Sequence, residues 1–131
     1  MTVAVDQLSH GEYMLLTTFR SNGSAVPTAV WVTSLDGELA VWTVAGSGKV
    51  KRIQANGDVT VAPCDRIGSP LGPATAGTAR VLDHAGTARV RQAVVAKYGL
   101  TEEQLLETLD RIGSRSKGDV GLAINVLSAA L

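Results

Sequence analysis

The run Leu39-Ala-Val-Trp-Thr-Val-Ala-Gly-Ser-Gly-Lys-Val-Lys-Arg-Ile-Gln-Ala-Asn-Gly-Asp-Val-Thr-Val-Ala-Pro63 decides how the rest of the chain is read. It divides into a strand (Leu39–Thr43), a small-residue turn (Ala45–Gly48), a short basic helix (Lys49–Asn56) and a returning strand (Val59–Pro63). A glycine-rich turn that opens a helix leaves unpaired backbone N–H groups at the positive end of the helix dipole, an arrangement suited to a phosphate or carboxylate. Ser47 is placed to cap that end, and Lys49 and Lys51 stand beside it. The same residues also describe an ordinary turn followed by a solvated helix face.

Upstream, Tyr13–Phe19 is rich in strand formers and is followed by Asn22-Gly23, the signature of a tight hairpin. Its partner, Ala25–Ser34, is apolar on both faces, which predicts cover on both sides. Pro27 within it marks an edge, a bulge or an opening, because proline cannot donate to a ladder. Asp36-Gly37 turns the chain into Glu38–Thr43. Downstream, the proline- and glycine-rich run Cys64–Pro73 predicts a long loop, and Ala74–Asp83 a strand with a close approach at Gly77. Val90, Val94 and Tyr98 then recur at helical spacing over Thr87–Tyr98, with Gly99 as the stop. Thr101 and Gln104 form a near capping box for a second helix, with Leu105, Leu109 and Ile112 on one face and Gly113 closing it. Val120–Leu127 is a last strand, and Val5–Ser9 is long enough for one or two helical turns.

This order predicts a mostly β chain. Six strands form an antiparallel barrel, with a short helix between strands 3 and 4 and a helical pair before the last strand. No Gly-x-Gly-x-x-Gly follows the first strand, so a Rossmann site is not expected. The 131 residues fit one domain over 1–131. Twelve basic and 12 acidic residues cancel, which gives no general field for nucleic acid or a membrane surface. The single cysteine, Cys64, excludes an internal disulfide, and the scarcity of Cys and His argues against a metal site. The chain shows neither a leader pattern nor an apolar run of spanning length, so a soluble, cytoplasmic protein is expected. Aromatic residues make up 4% against 45% hydrophobic, so the core is aliphatic, and part of the apolar surface is expected in a subunit interface.

Several runs together resemble the split β-barrel flavin- and deazaflavin-binding proteins of the pyridoxamine-phosphate-oxidase-like superfamily. They are Leu15-Leu-Thr-Thr-Phe-Arg20, Val26-Pro-Thr-Ala-Val-Trp-Val32, Val41-Trp-Thr43, Gly46-Ser-Gly-Lys-Val-Lys-Arg-Ile53 and Val59-Thr-Val-Ala-Pro-Cys-Asp65, with Gly72-Pro73 and Gly77-Thr-Ala79 after them. The resemblance covers nearly the whole chain and looks closest to the actinobacterial branch that uses the deazaflavin F420, with FMN as the alternative cofactor. It implies a homodimer with the cofactor in a groove at the subunit interface. Ser47, Gly48, Lys49 and Lys51 take the phosphate role, and Trp42 and Thr43 support the linker and ring. Pro27, Thr28, Ala29 and Val30 present backbone and small side chains to the ring edge, although many members carry a second proline where this chain has Ala29. Pro63, Cys64 and Arg66 line the same groove, with Arg66 near the carboxylates of a glutamyl tail. Trp31 is assigned to dimer packing.

The activity implied is transfer of a hydride from reduced F420 to a small conjugated or unsaturated substrate, with no side chain required as a catalytic base. Two alternatives keep the fold: an F420-binding or sequestering protein without a substrate, and an FMN-binding oxidoreductase.

Overall fold

The structure, a computed structural model, describes residues 3–111 and 118–127. The elements in chain order are α1 (Val3–His10), β1 (Tyr13–Phe19), β2 (Ala25–Trp31), β3 (Thr33–Leu35), β4 (Glu38–Val44), α2 (Gly48–Ala55), β5 (Asp58–Cys64), β6 (Thr75–Val81), α3 (His84–Tyr98), α4 (Glu102–Arg111) and β7 (Asp119–Val126). Every pairing is antiparallel, in the order β2-β1-β5-β6-β7-β4-β3. The fold is a mostly β, curled split barrel, with the short helix and the helical pair where the sequence places them.

One expectation needs correcting: there are seven strands, not six, because the run Ala25–Ser34 breaks at Val32. The N–H of Val32 donates to the Tyr98 hydroxyl at 3.1 Å, and its carbonyl accepts from Lys97 Nζ and lies 2.9 Å from that hydroxyl. These α3 side chains take the Val32 backbone out of the ladder. The break joins the two edges of the sheet, since β2 lies at one edge and β3 at the other. A sheet whose opposite edges are consecutive in the chain has to curl round on itself.

A second correction concerns β2. Its predicted cover on both faces is not found within the chain: Ala25 and Pro27 are exposed and the remaining residues are half-buried. Pro27 stands on an edge strand, where a missing donor costs no ladder bond.

Alternation along the strands builds the barrel interior. Met14 and Leu16 of β1, Leu39 and Val41 of β4, Val59 and Val61 of β5, and Leu122 and Ile124 of β7 form one cluster, joined by Val5 and Leu8 of α1 and Val50 and Ile53 of α2. The outer face of β4 packs instead on the helical pair, where Ala40, Val90, Val94 and Leu105 are buried and Trp31, Trp42 and Tyr98 pack against them. α3 begins three residues earlier than its apolar spacing suggests, because Asp83 caps it by accepting from the Gly86 N–H at 2.8 Å. The Thr101/Gln104 capping box forms in both directions, at 2.8 and 3.1 Å. The predicted stop at Ile112 and Gly113 lies outside the described residues, as does the side chain of Leu109. Among the described residues no helix is long and apolar enough to cross a membrane.

Candidate functional site: a basic groove at the open seam

Beyond the Val32 corner, β2 and β4 run apart and leave a groove of about 220 Å³. Thr28, Ala29, Val30 and Trp31 line it from β2, and Trp42, Thr43 and Val44 from β4. Lys49 of α2 and Thr108 of α4 complete the lining. The sequence names most of these residues; it does not pick out Val44 or Thr108, which the curl of the sheet and the docking of α4 bring in, and Trp31, assigned there to dimer packing, lines the groove with its ring stacked on Tyr98.

α2 starts at Gly48, one residue before the expected Lys49, and its helical repeat sorts its cations. Val50 and Ile53 point into the core. Lys49 and Arg52, three residues apart, share a face, whereas Lys51 turns away and is exposed. Lys49 Nζ donates to Thr43 Oγ1 at 3.2 Å, and Arg52 Nε donates to the buried Thr18 Oγ1 at 2.6 Å. Arg52 Nη1 passes 2.9 Å from where a β-carbon on Gly48 would sit, so the glycine leaves room for the guanidinium over the helix start. Arg52 is thus a candidate anion ligand that the sequence reading omits. The signal was its i+3 spacing from Lys49; its anchor, Thr18, lies 34 residues away.

Neither cation is neutralised: among the described residues, the ion pairs are Arg80–Glu38, Arg89–Asp36 and Arg91–Asp119. Burial lowers the Lys49 pKa below the ordinary lysine value, and the neighbouring Arg52 adds to the effect. Ser47 occupies the N-cap position in extended conformation, yet its side chain makes no capping bond. Its Oγ is buried and has no hydrogen-bond partner among the described residues. Two unpaired cations, an orphaned buried hydroxyl and the free N–H groups of a helix start fit an anion with several acceptor oxygens.

The remaining predicted residues lie elsewhere within the chain. Pro27 is exposed on the β2 edge and does not line the groove. Pro63 lines a different cleft, of about 270 Å³, with Gln7, Leu8, Pro73 and Thr75. The reason is strand order: β5 is separated from β2 by β1, and Pro63 sits opposite Met14. Cys64 is buried opposite Tyr13, and burial, then Asp65, pushes its thiol pKa up, which disfavours the nucleophilic thiolate. Arg66 is exposed on the 65–74 loop. That loop folds back on Asp65, whose Oδ1 accepts from the Ile67 and Ser69 N–H groups at 3.0 and 2.8 Å. A β-carbon on its Gly68 would lie 3.9 Å from the Ala29 side chain, so Arg66 belongs to a loop that touches a groove residue without lining the groove itself.

Neither a protein-family model nor a curated protein matches the sequence. Solved structures do match over nearly the whole chain. A conserved hypothetical protein, Rv2991 from Mycobacterium tuberculosis, shares 21% identity at a TM-score of 0.67, covering 98% of this chain and 82% of that one. HutZ, the heme storage protein of Vibrio cholerae, shares 9% at 0.69, covering 96% and 89%. A structure described as an F420 reductase shares 17% at 0.60, covering 98% and 97%. The chain therefore shares the fold of these structures, a curled antiparallel split barrel. These neighbours are named for heme storage in one case and for F420 reduction in another, so the fold leaves the chemistry to the groove.

Proposed function

We propose that this chain is an F420H2-dependent oxidoreductase that acts as a homodimer, with the cofactor phosphate at the start of α2 and its ring along β2 and β4. The observation that carries the reading is the pair Lys49 and Arg52, held by Thr43 and Thr18 and lacking a carboxylate partner among the described residues, beside the orphaned Ser47 hydroxyl. The apolar upper groove, formed by Ala29, Val30, Trp31, Trp42 and Val44, suits a planar ring. The F420 reductase of the same fold supports the choice of cofactor.

When bound, the deazaflavin supplies a hydride for a conjugated or unsaturated substrate, and the proton that completes the reduction comes from solvent. The chain itself holds the phosphate, fixes the ring plane and keeps water from one ring face. A second subunit would cover the exposed edge of β2 and the apolar side chains of Ile67 and Leu71, which are 81% and 69% exposed.

Titration of the purified protein with F420, FMN and haem tests this reading. Micromolar or tighter F420 binding, followed by oxidation of F420H2 with quinones or enones, is expected. Affinity for FMN or haem without affinity for F420 overturns the cofactor assignment. F420 binding without turnover on a broad substrate panel favours a sequestering role.

The lowered Lys49 pKa gives this site a pH signature. The folded apoprotein binds fewer protons than the unfolded chain between the folded Lys49 pKa and 10.5, so Lys49 contributes stability that rises with pH across that window. An anion at Lys49 favours the charged form, so phosphate affinity should fall with rising pH over the same window. Calorimetric titration with inorganic phosphate from about pH 8.5 upward, where the probe stays a dianion, should show affinity declining below the pH at which a free lysine titrates. A pH-independent affinity would separate Lys49 from the anion.

A further inference from the structure

The chain has two tryptophans, and both line the groove, Trp31 from β2 and Trp42 from β4. A separate side chain of α3 restrains each of them. The Tyr98 ring stacks on Trp31 with centroids 4.7 Å apart and planes 15° from parallel. The Tyr98 hydroxyl is tied to the Val32 backbone and lies 2.6 Å from the Glu12 carbonyl oxygen, so the stacking partner is itself fixed.

Trp42 is held through an intermediary. Its Nε1–H donates to Asp119 Oδ2 at 2.6 Å. Arg91 grips the same carboxylate with Nε on Oδ2 at 2.8 Å and Nη2 on Oδ1 at 3.2 Å. The arginine and aspartate side chains are 25% and 17% exposed, so the pair is well shielded from water. The corner that carries Asp119 is also tied to the turn before α2, since the Gly118 carbonyl accepts from the Ala45 N–H at 3.1 Å. That tie runs through the Gly118 backbone and not the Asp119 carboxylate, so the Ser47 turn keeps it when the carboxylate is removed. Nothing in the proposed chemistry uses Arg91 or Asp119.

We propose that Arg91 and Asp119 are positioning residues that lock the Trp42 indole as one wall of the ring end of the groove. Together with the Tyr98–Trp31 stack, they let α3 set the shape offered to a planar ligand. The proposal rests on the reading of this groove as the ring site. With its N–H committed to Asp119, the indole offers the ligand hydrocarbon surface and no donor. Without Asp119, a half-buried indole N–H loses its acceptor, and the side chain gains a reason to rotate towards any other acceptor, including one on the ligand.

The test is made on the full chain carrying Trp31→Phe and labelled with 5-fluorotryptophan, so that Trp42 gives a single fluorine resonance. Asp119→Ala and Arg91→Gln are each expected to shift and broaden or split that line. Asp119→Asn, which keeps an acceptor for the indole, is expected to restore much of its sharpness. Arg91→Gln leaves the strand residue in place and serves if the alanine variant does not fold. In binding experiments without the label, Asp119→Ala is expected to weaken F420 about tenfold while leaving affinity for inorganic phosphate unchanged, with partial rescue in Asp119→Asn. A merely structural role would lower both affinities together or neither.

A sharp, unshifted line in Asp119→Ala or Arg91→Gln overturns the proposal, and so does unchanged F420 affinity alongside a disturbed line. If the parent protein binds no F420, the ring-site reading fails and the positioning role falls with it, whatever the fluorine spectrum shows.

Discussion

Replacing Lys49 with alanine is expected to weaken F420 binding by about 1–3 kcal/mol, the range for a charge-assisted hydrogen bond in a shielded site. In affinity this is roughly five- to 150-fold, readily measured by calorimetry or fluorescence titration. The size of the effect follows from what surrounds Lys49. Its ammonium is lodged between Thr43 and the groove, and burial followed by Arg52 already lowers its pKa, so a bound phosphate relieves an unfavourable arrangement. Lys51→Ala is the matched control: it removes the same charge from the same helix but from an exposed position, and its effect should stay within about 0.5 kcal/mol. Equal effects of the two substitutions would mean that the helix acts through general charge and not through a defined site.

Gly121→Val is expected to destabilise the folded chain by about 1–3 kcal/mol, the usual cost of overpacking a buried contact. Gly121 lies opposite Trp42 on β4, and its N–H donates to the buried Thr87 Oγ1 at 3.0 Å. A β-carbon there would meet Val90 Cγ2 at 3.0 Å and the Thr87 backbone at 3.2 Å, so the branches of valine would push α3 away from the sheet. Because α3 carries Tyr98 and Arg91, the displacement should also loosen both tryptophans, and thermal melts should be accompanied by a change in tryptophan emission. An unchanged melting temperature would show that α3 rides over this position without close packing.

The physical range of each signal explains which parts of the site were readable from the residues. Asp36-Gly37 specifies its turn directly: both residues adopt positive φ, 55° and 81°, and the hairpin pairs Thr33–Leu35 with Glu38–Ala40. The start of α2 was equally local, and of the edge, bulge or opening that Pro27 allowed, the structure shows the edge. The helix repeat was available too, and applied to Lys49 it points to Arg52 in preference to Lys51.

Pro63 and Cys64 show how strand order, and not adjacency in sequence, sets which residues meet within one chain. They end a strand that begins just after α2, which suggests a shared groove, but β5 pairs with the far side of β1 and carries Pro63 to another cleft. The break at Val32 was invisible for a similar reason. Nothing in Ala25–Ser34 announces it, because its causes, Lys97 and Tyr98, lie more than 60 residues away.

The sequence by itself determined the presence of the helices, the tight turns and the basic start of α2, all of which depend on forces acting over a few residues. Only the tertiary structure decided that β2 and β3 occupy opposite edges, that the seam opens between β2 and β4, that Thr18 anchors Arg52, and that α3 holds both indoles. Those facts depend on which distant strands pair and which side chains meet across the closed sheet, and such contacts are fixed only when the whole chain folds together.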